Sequence, residues 1–236
     1  MPWGRREALA ALALAVAAAA TAGFLVLGAS SSVWALAALP VAVLGAGLVL
    51  FFRNPPREVP AGPGLLVSPA DGTVRDVAEV DEPEYVGGAC VRIGIFLSIF
   101  DVHLNRSPCA GVAERAVRRP GRHVDARRAE ASDGNECVSI GILRLDSGGP
   151  EGIRILVRQI SGAIARRVVC ALEPPARVAR GGLIGMIKYG SRTELYIPRS
   201  EDLRLEVGVG DRVVAGRTVV ASWAARAGEA SGHGIE

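Results

Sequence analysis

The sequence predicts a mainly β domain that follows an N-terminal transmembrane helical hairpin. No charged residue occurs between Ala8 and Phe52, and a bilayer core of about 30 Å needs about 20 apolar residues for each helical span. Beyond Arg57 the sequence changes to short segments that are rich in valine and isoleucine and bounded by glycine, proline or aspartate, which is typical of strands. This second part, residues 54–236, has the size of one domain.

The apolar stretch predicts a membrane anchor over residues 1–53. An uncharged break near residues 29–32 divides it into two spans, Ala8–Gly28 and Ser32–Phe52. Arginines at positions 5 and 6 precede the first span, and arginines at 53 and 57 follow the second. Because positive charge accumulates on the cytoplasmic side, we expect a cell-membrane protein whose second domain lies in the cytoplasm. A cleaved signal peptide is disfavoured, because a second apolar stretch follows the first directly.

Nine segments of the second domain are predicted strands. In Ile153–Arg158 the apolar residues mostly alternate with arginine, as expected for a sheet with one face in water. The Arg118–Asn135 segment is expected to be irregular, and its five arginines could form either a solvated loop or a basic face on anionic lipid. The predicted strands are Leu65–Val67, Thr73–Val80, Cys90–Leu97, Val138–Leu145, Gly152–Ile160, Leu183–Ile187, Glu194–Ile197, Arg204–Val207 and Thr218–Ser222.

Composition disfavours several classes of site. The net charge of +3 is too small to indicate a nucleic-acid partner. The four cysteines form no Cys-x-x-Cys pair, so they are expected to be small buried residues in a reducing compartment. The three histidines, at positions 103, 123 and 233, are too scattered to predict a metal site.

Three short segments contain residues that could do chemistry. Ser68–Gly72 is a predicted tight turn that carries Asp71. Phe96–Pro108 is an apolar strand that runs into a cluster of polar residues around His103, the one histidine that a predicted strand delivers to a fixed position. The third segment, Gly185–Thr193, carries a Gly-Ser pair.

Gly190 and Ser191 form the tip of a predicted hairpin between Leu183–Ile187 and Glu194–Ile197. A Gly-Ser pair there is ordinarily only a turn. It is also the arrangement that backbone self-cleavage needs, because glycine can adopt a conformation that opens its carbonyl to the neighbouring hydroxyl. Such a serine needs a base, and the base needs a partner that orients it.

Taken together, five stretches resemble the phosphatidylserine decarboxylases, in particular their short, archaeal-like bacterial class. The resemblance covers nearly all of Arg53–Ser222 in order. The matching stretches are Phe52–Arg57, Ser68–Val74, Ile95–Pro108, Val157–Gly162 with Ala165–Arg167, and Gly185–Pro198.

The resemblance implies an enzyme that makes its own cofactor, a covalent pyruvoyl group derived from Ser191, and that uses no metal. Attack of Ser191 on the carbonyl of Gly190 would lead to a β chain of residues 1–190 and an α chain of residues 191–236. His103 would be the base and Asp71 its orienting partner, as in a catalytic triad. Asp101 is a second candidate for the aspartate.

The resemblance also implies the substrate, a membrane phospholipid. Phosphatidylserine would form a Schiff base with the pyruvoyl carbonyl, lose carbon dioxide into that electron sink, and leave as phosphatidylethanolamine. His103 would protonate the resulting carbanion. Possible substrate-binding residues are Arg106, Lys188, Arg192 and Asp101.

Two departures from the family pattern stand out. The long class of these enzymes has a second histidine where this chain has Arg106. Many relatives have Asn-Glu-Arg where this chain has Asn135-Glu136-Cys137, so no role is assigned to the loop Asp125–Cys137.

A non-catalytic adaptor or carrier is the alternative function. Ser68–Val74 and Val207–Gly216 resemble the two halves of a biotinyl or lipoyl domain, which makes the expected fold a barrel-sandwich-hybrid-like β domain. A carrier needs a lysine at an exposed hairpin tip, whereas the only lysine, Lys188, lies beside the Gly-Ser pair. We therefore attribute this similarity to a shared fold.

Overall fold

The computed structural model describes residues 51–128, 130–150, 152–163, 168–170, 172–187 and 190–223, together with Gly23 and Gly47. This part of the chain is mainly β, and between residues 52 and 223 the described helix is the single turn α1, Ala131–Gly134. The strands are β1 (Leu65–Val67), β2 (Gly72–Glu82), β3 (Gly88–Leu97), β4 (Leu104–Arg106), β5 (Gly111–Arg119), β6 (Cys137–Arg144), β7 (Arg154–Ile160), β8 (Val168–Val169), β9 (Ala176–Val178), β10 (Leu183–Ile187), β11 (Ser191–Pro198), β12 (Leu203–Leu205), β13 (Arg212–Val213) and β14 (Val219–Trp223).

An eight-stranded antiparallel sheet forms the centre of the domain, with the order β13-β2-β3-β11-β7-β6-β5-β9. Two three-stranded sheets accompany it, β1-β14-β12 and β4-β10-β8. Strand β11 lies between β3 and β7, and its first seven residues are all buried. Its polar residues must therefore find partners inside the protein, because buried polar groups are costly when unpaired.

The hydrophobic core is built from the branched aliphatic residues that made these segments predictable as strands. Ile93 and Ile95 of β3, Val157 of β7 and Leu195 of β11 are fully buried in one cluster. Cys90, Cys109 and Cys137 are also buried. Burial raises the pKa of Cys109 to about 12, so this thiol stays protonated and acts as a small apolar side chain.

Two sequence-based expectations about local structure are wrong. The Gly190-Ser191 pair is not a hairpin tip, because β10 pairs with β4 and β8 whereas β11 pairs with β3 and β7. Residues 118 and 119 belong to a regular strand, β5, which pairs with β6 and β9. Pairing with β6 gives residues 118 and 119 their order, although both are arginines.

The predicted spans, between residues 8 and 52, lie outside the described residues except for Gly23, Gly47, Phe51 and Phe52. In the part of the chain that is described, no helix is long and apolar enough to cross a membrane. The chain divides into two compact units, Met1–Pro55 and Pro56–Glu236. The two-span hairpin stays a prediction.

Candidate active site

Three strand ends meet at the Gly190-Ser191 pair. Ser191 begins β11 and pairs with Leu97 at the end of β3. The next residue of β11, Arg192, pairs with Ile160 at the end of β7. Because the strands are antiparallel, the segments that leave β3 and β7 both pass the start of β11. The first of these segments carries the predicted base, His103.

His103 is fully buried, and its described contacts fix both its backbone and its ring. Its backbone carbonyl accepts the N–H of Ile187 at 3.1 Å. Its ring Nδ1 lies 2.9 Å from the backbone carbonyl of Asp101, and its Nε2 lies 3.3 Å from the backbone nitrogen of Gly190. A carbonyl can only accept and an amide N–H can only donate, so these contacts assign the proton to Nδ1 and leave a lone pair on Nε2. That lone pair faces the Gly-Ser pair.

Ser191 presents a hydroxyl that is buried and has no hydrogen-bond partner in the structure described. An unpaired buried hydroxyl is unfavourable for stability, and such groups are often found where a chain does chemistry. Gly190 has a φ of +59°, a left-handed conformation that favours glycine. The nucleophile, the carbonyl that it would attack and the base are thus contiguous.

Gly162 lies against the carbonyl of the same bond. A Cβ built on Gly162 would lie 1.7 Å from the Gly190 oxygen, so only a residue without a side chain fits there. The sequence placed Gly162 within a family-like motif but gave it no role, because only the fold brings residues 162 and 190 together.

The two candidate aspartates occupy different positions. The Asp71 carboxylate accepts hydrogen bonds from Arg57 at 2.7 Å and from the backbone N–H of Ala215 at 2.8 Å. Asp101 contacts the imidazole of His103 through its backbone carbonyl, while its carboxylate accepts from the Ser98 N–H and from Arg212, both at 2.8 Å. Of the two aspartates, Asp101 is the one with a described contact to the His103 ring, and that contact is made by its backbone carbonyl.

Arg192 belongs to a buried ionic network. Its guanidinium donates to Asp76 at 2.8 Å and to Glu194 at 2.8 Å. Glu194 also accepts from Ser132 and Tyr196. Burial alone would raise the pKa of Glu194, but the Arg192 charge and these hydrogen bonds hold it below the ordinary value. The described donors of Arg192 are thus directed at carboxylates rather than at an open site.

A second polar cluster lies two residues beyond Ser191. Asn105 donates to Thr193 Oγ1 at 2.9 Å and to the Pro69 carbonyl at 3.3 Å, and it accepts from Gln159 at 2.7 Å. These bonds tie the Ser68–Gly72 turn, β4, β7 and β11 together. Asn105 and Gln159 stand in the family-like stretches Ile95–Pro108 and Val157–Gly162, but the sequence alone did not indicate this connecting role.

The sequence is similar to those of known proteins. A sequence model of the phosphatidylserine decarboxylase family matches residues 44–221, more than half of the chain. The chain belongs to the phosphatidylserine decarboxylase family. It is 44% identical over 191 residues to the phosphatidylserine decarboxylase proenzyme of Rhodopirellula baltica, covering 80% of this chain and 77% of that protein. It is 45% identical over 195 residues to the proenzyme of Carboxydothermus hydrogenoformans, covering 83% and 87%.

Arg106 and Lys188 are two further predicted site residues. Arg106 is half-buried and donates to the Gly181 carbonyl at 2.8 Å. Burial and the neighbouring charge of Arg57 lower the pKa of Arg106. Lys188, the lysine of the family-like cleavage segment, lies outside the described residues.

Proposed function

We propose that this chain cleaves itself between Gly190 and Ser191 and then decarboxylates phosphatidylserine to phosphatidylethanolamine. The observation that carries the proposal is the buried hydroxyl of Ser191, which has no hydrogen-bond partner among the described residues and follows a Gly190 whose backbone N–H donates to Nε2 of His103. The reaction itself follows from membership of the phosphatidylserine decarboxylase family, in which the named relatives are proenzymes.

The geometry supports the following cleavage chemistry. His103 Nε2 exchanges the Gly190 N–H for the Ser191 hydroxyl and accepts its proton while the oxygen attacks the Gly190 carbonyl carbon. The carbon–nitrogen bond then breaks, the nitrogen takes a proton, and Gly190 is left as an ester on the Ser191 oxygen. Loss of the Ser191 α-proton releases the Gly190 carboxylate, and water then replaces the nitrogen, which leaves as ammonia. The products are chains 1–190 and 191–236.

The residues around position 191 fit a pyruvoyl group. Ser191 has the atoms from which that group is made, and its hydroxyl has no competing partner among the described residues. When formed, the group would supply a carbonyl that captures the substrate amine and accepts electrons as carbon dioxide leaves. His103 is placed to hold or deliver a proton beside it, and Asp101 fixes the His103 ring. We assign the orienting role to Asp101 rather than Asp71. Arg106 and Lys188 are the proposed partners of the lipid phosphate.

We also propose a barrel-sandwich-hybrid-like fold for the β domain and a membrane hairpin before it. A barrel-sandwich-hybrid-like arrangement is supported by the way in which the two biotinyl-like segments meet. Val213 pairs with Gly72, Arg212 pairs with Thr73, and the Gly216 N–H donates to the Ser68 carbonyl at 2.9 Å. The membrane hairpin, with a cytoplasmic catalytic domain, rests on the uncharged stretch and on the arginines that flank it.

The cleavage proposal is tested with Ser191→Ala. This variant lacks the attacking oxygen, so it should remain one full-length chain and be inactive, while its circular dichroism stays that of the wild type. Mass spectrometry of the wild type should find a chain of residues 191–236 without an N-terminal amine. Borohydride added with phosphatidylserine should attach the lipid to that chain and not to Lys188. A wild-type chain that decarboxylates the lipid without being cleaved would contradict the mechanism, and a folded, uncleaved and inactive wild type would favour the adaptor.

A further inference from the structure

The turn between β3 and His103 presents two large apolar side chains to solvent. Phe100 is 79% exposed and Ile99 is 49% exposed. Single exposed apolar residues are common on soluble proteins and need no explanation. Two adjacent ones at the tip of a turn, next to a reactive site, indicate a contact with another apolar phase.

This turn is held firmly rather than left loose. The Asp101 N–H donates to the Ser98 carbonyl at 3.0 Å, and the Ser98 N–H donates to the Asp101 carboxylate at 2.8 Å. Arg212 holds the same carboxylate, and the Asp101 carbonyl contacts His103. Ile99 and Phe100 are therefore presented at a fixed position relative to the base.

A cleft connects the turn to the cleavage site. It has a volume of 420 Å³ and is lined by Phe96, Ser98, Ile99, Asp125, Arg127, Ala163 and Gly190. One wall thus belongs to the apolar turn, and another belongs to the loop after β5. The residue that precedes the reactive serine lies in the cleft itself, so a molecule entering between these walls reaches the site of chemistry.

The second wall carries an exposed guanidinium. The loop after β5, residues 120–135, contains three arginines and three carboxylates. Arg127 is neutralised by Asp125, whose pKa it lowers to about 2, whereas Arg128 is exposed directly beside it. An apolar tip beside an exposed guanidinium is complementary to the surface of an anionic bilayer, which has apolar chains below charged phosphates.

We propose that Ile99 and Phe100 insert into an anionic phospholipid bilayer, and that Arg128 contacts its phosphates, so that the cleft opens at the lipid surface. This docking surface rests on the proposed function, because it explains how a lipid that stays in its bilayer meets residue 191. For the loop after β5, it favours the lipid-facing alternative that the sequence left open over a loop that is only solvated.

The test compares two substrates with the same full-length protein in phosphatidylcholine vesicles. One substrate is long-chain phosphatidylserine within the vesicle bilayer, and the other is a short-chain phosphatidylserine added as a water-soluble monomer. Phe100→Asn should raise the KM for the bilayer substrate by about tenfold or more, since burying one aromatic side chain contributes that much to binding. The KM for the soluble substrate should rise by less than about twofold, because capture from the bilayer is bypassed.

Further variants make the test specific. Arg128→Gln should raise the bilayer KM about fivefold at low salt and less at high salt, as surface electrostatics are screened. The matched control is Leu145→Asn. Leu145 is 56% exposed and follows the last residue of β6, whereas Ile160, near the cleavage site, pairs with the first residue of β6. It should change neither KM. Ile99→Asn is made separately, and its bilayer KM should also rise.

The outcomes separate this proposal from the function on which it rests. A wild type without activity on either substrate would overturn the proposed function. An active wild type whose Phe100 variant shows the same rise in KM for both substrates would overturn the docking surface alone. Loss of self-cleavage in both the Ile99 and Phe100 variants would also overturn it. A Phe100 defect that occurs in cells but not in vesicles would indicate a protein partner instead of a bilayer.

Discussion

Residues from distant parts of the chain lie against the bond between Gly190 and Ser191. His103 Nε2 lies beside the Gly190 nitrogen, Gly162 lies against the Gly190 oxygen, and the Ser191 hydroxyl has no partner among the described residues. We therefore expect changes at His103 and Gly162 to affect cleavage, which gives two predictions at this scale.

The first prediction concerns the base. His103→Ala should slow self-cleavage by about 10²–10⁴-fold, the usual contribution of general-base help. The measurement is the rate at which the full-length chain disappears on a denaturing gel after synthesis in a cell-free system. His233→Ala, in the last residues of the chain, serves as the control and should be cleaved normally. Normal cleavage of the His103 variant would move the base to another group.

The second prediction concerns the residue that the sequence did not identify. Gly162→Ala places a methyl group 1.7 Å from where the Gly190 oxygen lies, so that the carbonyl must move. We expect cleavage to be strongly slowed and the thermal unfolding temperature to fall as well, because Gly162 is buried and its methyl group would meet a backbone oxygen. Gly208→Ala is a matched control, since its methyl group would meet nothing closer than 3.9 Å. Equal cleavage rates for both variants would show that Gly162 has no positioning role.

At the scale of strands, the sequence predicted strand positions best where the residues are branched and apolar. The segments Leu65–Val67 and Leu183–Ile187 are strands with the predicted bounds, and the core strands β3 and β7 differ from prediction by two residues at one end. Strand β5, the three-residue strands β4 and β9 and the two-residue strands β8 and β13 were missed, because their order comes from neighbours rather than from their own sequence. Pairing between strands was not predictable, and this is why the supposed hairpin at Gly190 was wrong.

The position of β11 leads to a prediction about the cleaved enzyme. Cleavage would make Ser191 the first residue of the α chain, yet β11 pairs with β3 along all eight of its residues and with β7 along five. Strands β13 and β14 of the same chain pair with β2 and β1. The two chains should therefore elute together in gel filtration and separate only in denaturant. Spontaneous release of residues 191–236 in buffer would contradict this arrangement.

The ionic network of β11 predicts a dependence of stability on pH. The folded-state pKa of Glu194 lies below the ordinary 4.5, so ionised Glu194 stabilises the folded state above that pH, and this stabilisation is lost as the pH falls through the folded-state pKa. Glu194→Gln should lower the free energy of unfolding at pH 7 by about 3–5 kcal/mol, since it leaves Arg192 short of a buried partner. It should also flatten the fall in melting temperature below pH 4.5, measured by circular dichroism in the uncleavable Ser191→Ala chain. Glu201→Gln, at an exposed position, should have neither effect.

At the scale of the whole molecule, a boundary near residue 54 was predictable because the compositions on its two sides differ so strongly. Residues 8–52 carry no charge, whereas charged residues occur throughout the segment that follows, and the chain divides into two compact units at Pro55. The membrane anchor itself stays a prediction. The site itself could be predicted only in part. Ser191 and His103 stand in recognisable motifs, whereas Asp101 rather than Asp71 became the proposed orienting residue once the fold showed which carbonyl meets the imidazole.

This separation predicts how a shortened chain behaves. Residues 54–236 contain all the strands and the whole described hydrophobic core of the β domain, so this fragment should fold and cleave itself without the anchor. The full-length chain should stay with membranes after a carbonate wash, because two helical spans are not displaced by charge or pH. The fragment should be washed off, since the proposed contacts of Ile99, Phe100 and Arg128 with the membrane are reversible. Carbonate extraction of the full-length chain would show that residues 8–52 do not span the bilayer, and an uncleaved fragment would show that the anchor takes part in forming the site.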